Sequence, residues 1–370
     1  MNNKQRILGV LNYHKIDVFP VVHFGYWPET LQKWYQQGYL TRSEVYGWAD
    51  GNKCDVAIAK KLGFDFNWQT LFISNCGLFP SFESVVIEQF EDGSYKKLGS
   101  DGVVVLEKPG MASVPCEIDH LLKDRKSWEK YYKPRLQFSN DRVQIKVIDS
   151  LRASISDNPI GLHLGSLIGV VRNWLGVEAI NYLSIDDEKL LTEIIETLAD
   201  VSFKCVQSLL SFGINFDYAH FWEDICCKNG PLISSKIVAE KTGPLYKKIT
   251  DLVRQHGIEI ISLDCDGNID ALLPIWFENG VNTMFPIEVG TWNASIKPWR
   301  EMYGKELRGV GGMNKAVFAK DYSAIDAEIE RLKPLVALGG YIPCPDHRIP
   351  PDSKWDNVCY YCEKIRNVLS

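Results

Sequence analysis

The feature that most constrains the fold of this chain is a repeated alternation of short apolar runs with helical patterns. Apolar runs of this length predict buried strands, and helical stretches between them predict crossover connections in a parallel sheet. No Gly-x-Gly-x-x-Gly follows any run, which favours a closed (β/α)8 TIM-type barrel over an open dinucleotide-binding sheet. The strands are predicted at 160–167, 216–220, 259–263, 283–287, 307–311 and 340–343.

The N-terminal part adds two features to this α/β pattern. Residues 3–12 predict an N-terminal helical extension. Between about 84 and 110, short alternating runs and two Asp-Gly dipeptides predict a β-hairpin insertion. We expect one barrel domain over 1–370, because barrels of this length form single units. Further predictions are a strand at 18–24, helices at 117–131, 138–154, 169–183 and 186–212, and a helix beginning near Pro28.

Composition excludes several classes of function. The net charge of -6 and the absence of a basic stripe argue against a nucleic-acid partner. The first residues lack the apolar region of an export signal, and no stretch reaches the roughly 18 apolar residues of a membrane span. We therefore expect a soluble, cytoplasmic protein with no membrane contact. The ten scattered cysteines are expected to be reduced thiols.

Reactive side chains stand directly after several apolar runs, as Asp264, Asp266, Glu288 and His347 show. The carboxyl ends of barrel strands converge on one face that carries the chemistry, so the pattern predicts an enzyme with these four as catalytic residues. On a strand, two carboxylates two positions apart point to the same side of the sheet. Their repulsion must be relieved by a cation or by a shared proton. The alternatives are a turn and helix cap at Asp266, an ion pair at Glu288 and a backbone-bonded loop histidine.

A second set of residues is predicted to bind substrate. His23, Phe24, Tyr26 and Trp27 follow the first apolar run and suggest an aromatic wall for a flat ligand. Glu223 follows a later strand and joins them as a binding candidate. Core packing of Phe24, and a helix-dipole role for Glu223, are the competing interpretations.

Several short blocks in one order give the chain a family resemblance. It resembles the uroporphyrinogen decarboxylase superfamily, in the branch of corrinoid-dependent methyltransferases. The resemblance implies a single (β/α)8 barrel with a cleft at the carboxyl ends of the strands. The blocks are Trp222-Glu223-Asp224, 229–234, Asp264-Cys265-Asp266-Gly267-Asn268, 285–289, 311–315, 339–347 and Ile349-Pro350-Pro351-Asp352.

The chain departs from the family pattern at two places, in the arginine stretch and in the zinc ligands. True uroporphyrinogen decarboxylases carry an Arg-Gln-Ala-Gly-Arg stretch that binds substrate carboxylates, whereas residues 23–28 contain no arginine. The methyltransferases usually carry a zinc site of His-x-Cys-Gly and a later Cys, and those positions correspond to Asp264, Asp266 and His347. Two carboxylates and an imidazole can hold zinc, or can act as acid and base without a metal.

The resulting hypothesis is a methyltransferase of the EC 2.1.1 class. It would move a methyl group from a small methylated substrate, such as an aryl methyl ether (O-demethylation) or a methylamine, to cob(I)alamin. The cobalamin is expected on a separate corrinoid protein, because no Asp-x-His-x-x-Gly signature is present. A decarboxylase or lyase acting on a small acid, and a non-catalytic ligand-binding barrel, are the alternatives. The oligomeric state is left open, with a homodimer the form that related barrels often take.

Overall fold

Parallel strands joined by helices form the centre of the molecule. The computed structural model describes residues 1–108, 115–143 and 157–370. The strands are β1 (Val22–His23), β2 (Phe66–Asn67), β3 (Leu71–Phe72), β4 (Val85–Gln89), β5 (Tyr95–Leu98), β6 (Val103–Glu107), β7 (Cys116–His120), β8 (Gly161–Gly165), β9 (Tyr218–Trp222), β10 (Cys226–Cys227), β11 (Gly230–Pro231), β12 (Ile261–Asp264), β13 (Thr283–Phe285), β14 (Arg308–Met313) and β15 (Tyr341–Pro345).

Seven of these strands form one parallel sheet in the order β15-β14-β13-β12-β9-β8-β3. All six strands predicted from residue 160 onward lie in this sheet, so the parallel α/β prediction is confirmed. Strands β1 and β2 form a separate parallel pair. A bridge joins Tyr26, beyond β1, to Ile349, beyond β15. Closure of all the strands into a barrel stays a prediction.

Side chains on the strands alternate between two cores, as the period-two geometry of a strand requires. On β9, Tyr218 belongs to the inner cluster, whereas Ala219 and Phe221 pack in the outer cluster beneath the helices. The same alternation puts His220 and Trp222 on the inner side. The inner cluster comprises Ile7, Val10, Leu11, Phe19, Val22, Phe24, Phe66, Trp68, Tyr218, Ile260, Phe285, Val310, Ile342 and Cys344.

Helices cover the outer side of the sheet. The longest described helix buries a continuous apolar stripe that includes Leu191, Ile194 and Leu198. The helices are α1 (Asn3–Leu11), α2 (Pro28–Gln36), α3 (Arg42–Tyr46), α4 (Lys53–Leu62), α5 (Arg125–Ser127), α6 (Gly169–Leu175), α7 (Val177–Asp186), α8 (Glu188–Ser211), α9 (Ser235–Ile237), α10 (Gly243–Gln255), α11 (Leu273–Glu278), α12 (Val289–Trp292), α13 (Ile296–Tyr303), α14 (Tyr322–Val336) and α15 (Trp355–Leu369).

The predicted N-terminal helix is confirmed as α1. Asn2 caps it by accepting a hydrogen bond from the Gln5 amide, and the Gln5 side chain accepts from the Asn2 amide in return. Val10 and Leu11 of this helix belong to the inner cluster, and the Val10 carbonyl accepts a hydrogen bond from the Gly340 amide just before β15. The helix therefore covers the end of the inner core opposite the strand-end carboxyls.

The insertion after β3 is larger than the predicted hairpin. Strands β4, β5, β6 and β7 form a four-stranded antiparallel sheet. The helix predicted at 117–131 was wrong in its first part, because β7 pairs with β6 and this ladder overrides the local helical pattern. Helical structure begins only after Asp124, whose side chain caps α5. Residues 109–110 of the predicted hairpin and 144–154 of the helix predicted at 138–154 lie outside the described residues.

The helices were also compared with the length and hydropathy that a membrane span requires. Within the described ranges 1–108, 115–143 and 157–370, no helix is long and apolar enough to cross a membrane.

Candidate active site

Asp264 ends strand β12 on the inner side of the sheet. Its side chain is buried, and its Oδ2 accepts a hydrogen bond of 2.7 Å from Gln69 Nε2. Burial, and then the negative charge of Asp266, raise the pKa of Asp264 well above its usual value. Burial therefore favours the neutral form of this carboxyl.

His220 lies beside Asp264 on the neighbouring strand β9. Its Nδ1 is 2.6 Å from Ser262 Oγ, while its Nε2 lies 3.9 Å from Asp264 Oδ2. The Nε2 atom is buried and has no hydrogen-bond partner among the described residues. Burial lowers the pKa of His220 well below its usual value, so the ring is neutral. A neutral acid and a neutral base therefore face each other with a gap between them.

Asp266 and His347 form a second acid–imidazole pair. His347 Nε2 is 3.3 Å from Asp266 Oδ2, and Asp266 Oδ1 is buried without a hydrogen-bond partner in the described structure. The ring of Trp27 stacks on His347 with centroids 5.4 Å apart, and Phe24 contacts the same imidazole at 5.3 Å. Two aromatic side chains thus fix the orientation of His347.

Glu288 lies next to this pair, just beyond strand β13. Its Oε2 accepts a hydrogen bond of 2.6 Å from the Gly267 amide, and its Oε1 accepts one of 2.9 Å from Thr291 Oγ1. Gly267 has a φ of +81°, a conformation that favours glycine. Burial and the charge of Asp266 raise the pKa of Glu288. Glu288 therefore ties the β12 turn to the β13 turn.

Asp224 follows strand β9 in a left-handed conformation with a φ of +45°. Arg172 Nη2 donates to its carbonyl at 2.7 Å and to its Oδ2 at 3.3 Å. Burial, and then the charge of Asp266, raise the pKa of Asp224. Asp224 thus belongs to the same group of interacting carboxyls as Asp264, Asp266 and Glu288.

Glu223 is saturated with hydrogen bonds from the protein. Its side chain accepts from Tyr246 Oη at 2.6 Å and from Ser166 Oγ at 3.0 Å. It also accepts from three backbone amides that precede and begin α6, at 2.7 to 3.0 Å. This arrangement anchors the start of α6, as a carboxylate at a helix N-terminus does. These contacts favour a structural role for Glu223 over the predicted role in substrate binding.

The four aromatic candidates, His23 at the end of β1 and three residues beyond it, are divided between the inner and outer sides of the fold. Phe24 and Trp27 contact His347, and Phe24 also packs in the inner cluster against Phe285, so the aromatic wall for a substrate stays a prediction. His23 instead packs against Phe64 at 4.8 Å, and Tyr26 packs against Trp34 at 5.8 Å, both in the outer layer.

His23 also lines a side cavity of about 650 Å³ that it shares with Asp55 and Lys60, and none of the strand-end carboxyls lines that cavity. His23 and Tyr26 therefore do not lie with the other predicted site residues.

The structure brings together Asp264, Asp266, Glu288 and His347, the four residues predicted to be catalytic. The prediction did not include Gln69, because it lies 195 residues before Asp264 in the chain. His220 was not among the predicted site residues, although its alternation with Tyr218 signalled an inner position. Trp222, paired in register with Asp264, continues that inner row.

The side chains at the strand ends include the three predicted metal ligands, Asp264, Asp266 and His347. Within 1–108, 115–143 and 157–370, no group of three or more His, Cys, Asp or Glu side chains is arranged to hold a metal ion. Asp264 faces Gln69 and His220, whereas Asp266 faces His347. Because these contacts do not form a three-ligand group, we derive no step through zinc, and zinc stays a prediction.

Comparisons with known proteins give a structural likeness only. No protein-family model and no curated protein matches the chain. The fold is similar to that of a methyltransferase from Methanosarcina mazei, with a TM-score of 0.64 and 15% identity over 100% of both chains. It is also similar to a B12-independent methionine synthase from Shewanella sp. W3-18-1, with a TM-score of 0.49 and 12% identity over 95% of this chain and 99% of that one. At these identities the likeness to the first protein shows a shared fold.

Proposed function

We propose that this protein is a methyltransferase that moves a methyl group from a small methylated substrate to cob(I)alamin held by a separate corrinoid protein. The observation that carries the proposal is the buried carboxyl of Asp264 at the strand ends, which Gln69 holds and whose pKa burial raises. It lies in a fold shared, end to end, with a protein described as a methyltransferase. When bound, the cob(I)alamin of the partner supplies the nucleophile.

Asp264 supplies the proton that a poor leaving group needs. For an ether donor, the bond between the oxygen and the methyl carbon breaks, the oxygen keeps the bonding electron pair and takes the proton from Asp264, and the methyl group would pass to the corrinoid partner. Gln69 holds the carboxyl in place, and Asp266 with His347 can return a proton from the solvent. The aromatic pair Phe24 and Trp27 restricts water near His347.

The proposal includes a closed (β/α)8 barrel in a single domain. The inner cluster supports closure, because Val22 of β1 and Phe66 of β2 pack with residues of the seven-stranded sheet. The Ile349 amide donates to the Gly25 carbonyl at 3.1 Å, and the Trp27 amide donates to the Ile349 carbonyl at 3.2 Å. These bonds link the two-stranded pair to the β15 edge of the sheet. A cytoplasmic location and a homodimer stay predictions.

The test is methyl transfer by the purified protein. Reduced cob(I)alamin is mixed with aryl methyl ethers or methylamines, and formation of methylcobalamin is followed by absorbance. We expect at least one donor to methylate the corrinoid, and Asp251→Asn, on the exposed face of α10, to leave the rate unchanged.

No methylation by any donor would contradict the proposal. Release of carbon dioxide from a small acid would support a lyase instead. If neither reaction occurs but ligands bind, the barrel is a non-catalytic binding protein.

A further inference from the structure

The site holds more carboxyl groups than its surroundings neutralise. Asp224, Asp264, Asp266 and Glu288 lie close enough that the charge of Asp266 raises the pKa of the other three. Buried like charges are costly unless a proton or a cation relieves the repulsion. The arrangement is therefore one that a positively charged ligand would stabilise.

The basic side chains that act on these carboxyls have partners of their own. In the described part of the chain these are Arg172, Lys315 and Arg348. Each is in contact with one carboxyl group, which leaves Asp264 and Glu288 without a dedicated cation, whereas Asp266 faces the imidazole of His347 at 3.3 Å. The pairs are Arg172 with Asp224 at 3.3 Å, Lys315 with Asp346 at 3.3 Å, and Arg348 with Asp50 at 2.6 Å.

Two buried atoms inside the site lack hydrogen-bond partners among the described residues. His220 is completely buried, and its unpartnered Nε2 faces Asp264. Asp266 Oδ1 is the second such atom. A buried polar atom left unpaired costs free energy, so a ligand that donates hydrogen bonds here would remove that cost.

Aromatic rings lie around the same carboxyls. Trp27 stacks on His347, and Trp222 stands in register with Asp264 on the inner side of β9. Both tryptophans are partly exposed. Aromatic faces attract ammonium groups, tryptophan most strongly, and they also accept the apolar methyl groups on such a nitrogen.

We propose that this site binds a small ligand carrying a methylated, positively charged nitrogen with at least one N–H group. Asp266 supplies the opposite charge, the tryptophans contact the methyl groups, and Asp266 Oδ1 or His220 Nε2 accepts the N–H hydrogen bond. The inference rests on the proposed function, for which it selects a methylammonium donor over a neutral aryl ether. A small carboxylic acid would be repelled, which argues against the lyase alternative.

The experiment measures binding by calorimetry with three probes of similar shape and different charge. They are trimethylammonium, neutral tert-butanol and anionic pivalate, all tested without corrinoid. We expect trimethylammonium to bind at least about tenfold more tightly than tert-butanol, and pivalate not to bind. Tetramethylammonium, which lacks the N–H group, should bind more weakly than trimethylammonium.

Variants locate the binding. Asp266→Asn and Trp27→Leu should each weaken trimethylammonium binding about tenfold, while the surface control Asp251→Asn should not change it. Thermal unfolding of each variant checks that it is folded.

Equal binding of trimethylammonium and tert-butanol, preferential binding of pivalate, or no binding of trimethylammonium by folded wild-type protein would overturn the inference. The binding experiment is separate from the methyl-transfer assay. If trimethylammonium binds but no donor methylates the corrinoid, only the proposed function is refuted. Demethylation of an aryl ether without cation binding would refute only this inference.

Discussion

Two buried carboxyl groups at neighbouring strand ends, Glu223 and Asp264, have opposite surroundings. The backbone joins them directly, because the Glu223 amide donates to the Asp264 carbonyl at 2.8 Å. Among the described residues, Glu223 accepts hydrogen bonds from five protein donors, whereas Asp264 accepts one, from Gln69. Burial alone therefore does not identify a reactive carboxyl; the number of protein donors separates an anchor from a candidate acid.

The protonation of the two groups follows from this difference. Burial raises the pKa of both, but the donors around Glu223 stabilise its charged form and oppose the rise. Asp264 has a single opposing hydrogen bond, and the charges of Asp266 and Asp224 add to the effect of burial. Its pKa is consequently raised further, and it can hold a proton for catalysis.

The largest expected effect is the loss of stability in Glu223→Gln. Donors that now surround a carboxylate would face an amide nitrogen, which donates rather than accepts. We expect the free energy of unfolding to fall by about 3 kcal/mol, in the range for breaking one side of a buried charged network. Urea unfolding at neutral pH measures it, with Asp264→Asn as the matched control. A cost in Glu223→Gln no larger than in the control would show that the anchor assignment is wrong.

The next effect concerns catalysis by Asp264→Asn. The amide keeps the shape of the neutral acid but cannot release a proton, so the rate of methyl transfer from an ether donor, whose oxygen needs that proton, should fall about a hundredfold. Stability should not fall by more than about 1 kcal/mol, because the native group is already favoured in its neutral form. Single-turnover kinetics with cob(I)alamin gives the rate. An undiminished rate on an ether donor would exclude Asp264 as the proton source.

The pH dependence of stability sharpens the same comparison. The pKa of Asp264 is raised in the folded state, so above the ordinary value of 3.8 the folded protein keeps a proton that the unfolded chain has released. This group's contribution is complete below that value and is lost as pH rises toward the folded pKa, by at most about 1.4 kcal/mol per pH unit. Wild type should therefore lose stability relative to Asp264→Asn as pH rises. If the urea midpoints of wild type and Asp264→Asn differ by the same amount at every pH, the pKa of Asp264 is not raised.

The contrast between these residues also marks the limit of the sequence-based predictions. Asp264 and Asp266 were recognisable because they directly follow an apolar run that forms a central strand. Glu223 also follows such a run, but its donors come from Ser166, three backbone amides and Tyr246, none of them adjacent to it in the chain. Whether a strand-end carboxyl is saturated depends on these distant donors, which no local pattern reveals.

For the aromatic residues at the end of β1, the sequence did not distinguish the two that reach the site from the two that do not, and the reason is different. Residues 18–24 are apolar at nearly every position, so the alternation that would separate inner from outer side chains is missing. The structure shows only Val22–His23 as strand, with Val22 in the inner cluster and His23 packed outside. Phe24 and Trp27 reach the site, whereas His23 and Tyr26 support the outer layer.

A smaller effect is expected from Tyr246→Phe, which removes one donor to Glu223 and keeps the ring. The tyrosine hydroxyl bonds to Glu223 Oε1 at 2.6 Å in a fully buried position. Loss of one hydrogen bond to a charged group should cost about 1.5 kcal/mol of unfolding free energy. The double variant with Glu223→Gln should cost less than the sum, because both changes act on one network. If the losses of unfolding free energy in the two single variants simply add in the double variant, Tyr246 does not stabilise the protein through Glu223.

The smallest effect is expected at a carboxyl outside the site. Glu193 on α8 contacts Arg125 at 2.8 Å and Lys133 at 2.7 Å, but it remains partly exposed to solvent. These partners lower its pKa to about 2, so its contribution is present above the ordinary glutamate value of 4.5 and is lost as pH falls toward about 2.

Solvent screening limits this contribution, and Glu193→Gln should lower the unfolding free energy by less than about 1 kcal/mol at neutral pH. The sign of its pH dependence is opposite to that of Asp264, because pairing stabilises the charged form of Glu193 while burial favours the neutral form of Asp264. Urea midpoints of both variants from acid to neutral pH test this opposition. If the two variants change with pH in the same direction, the distinction between a paired carboxylate and a candidate acid would not hold.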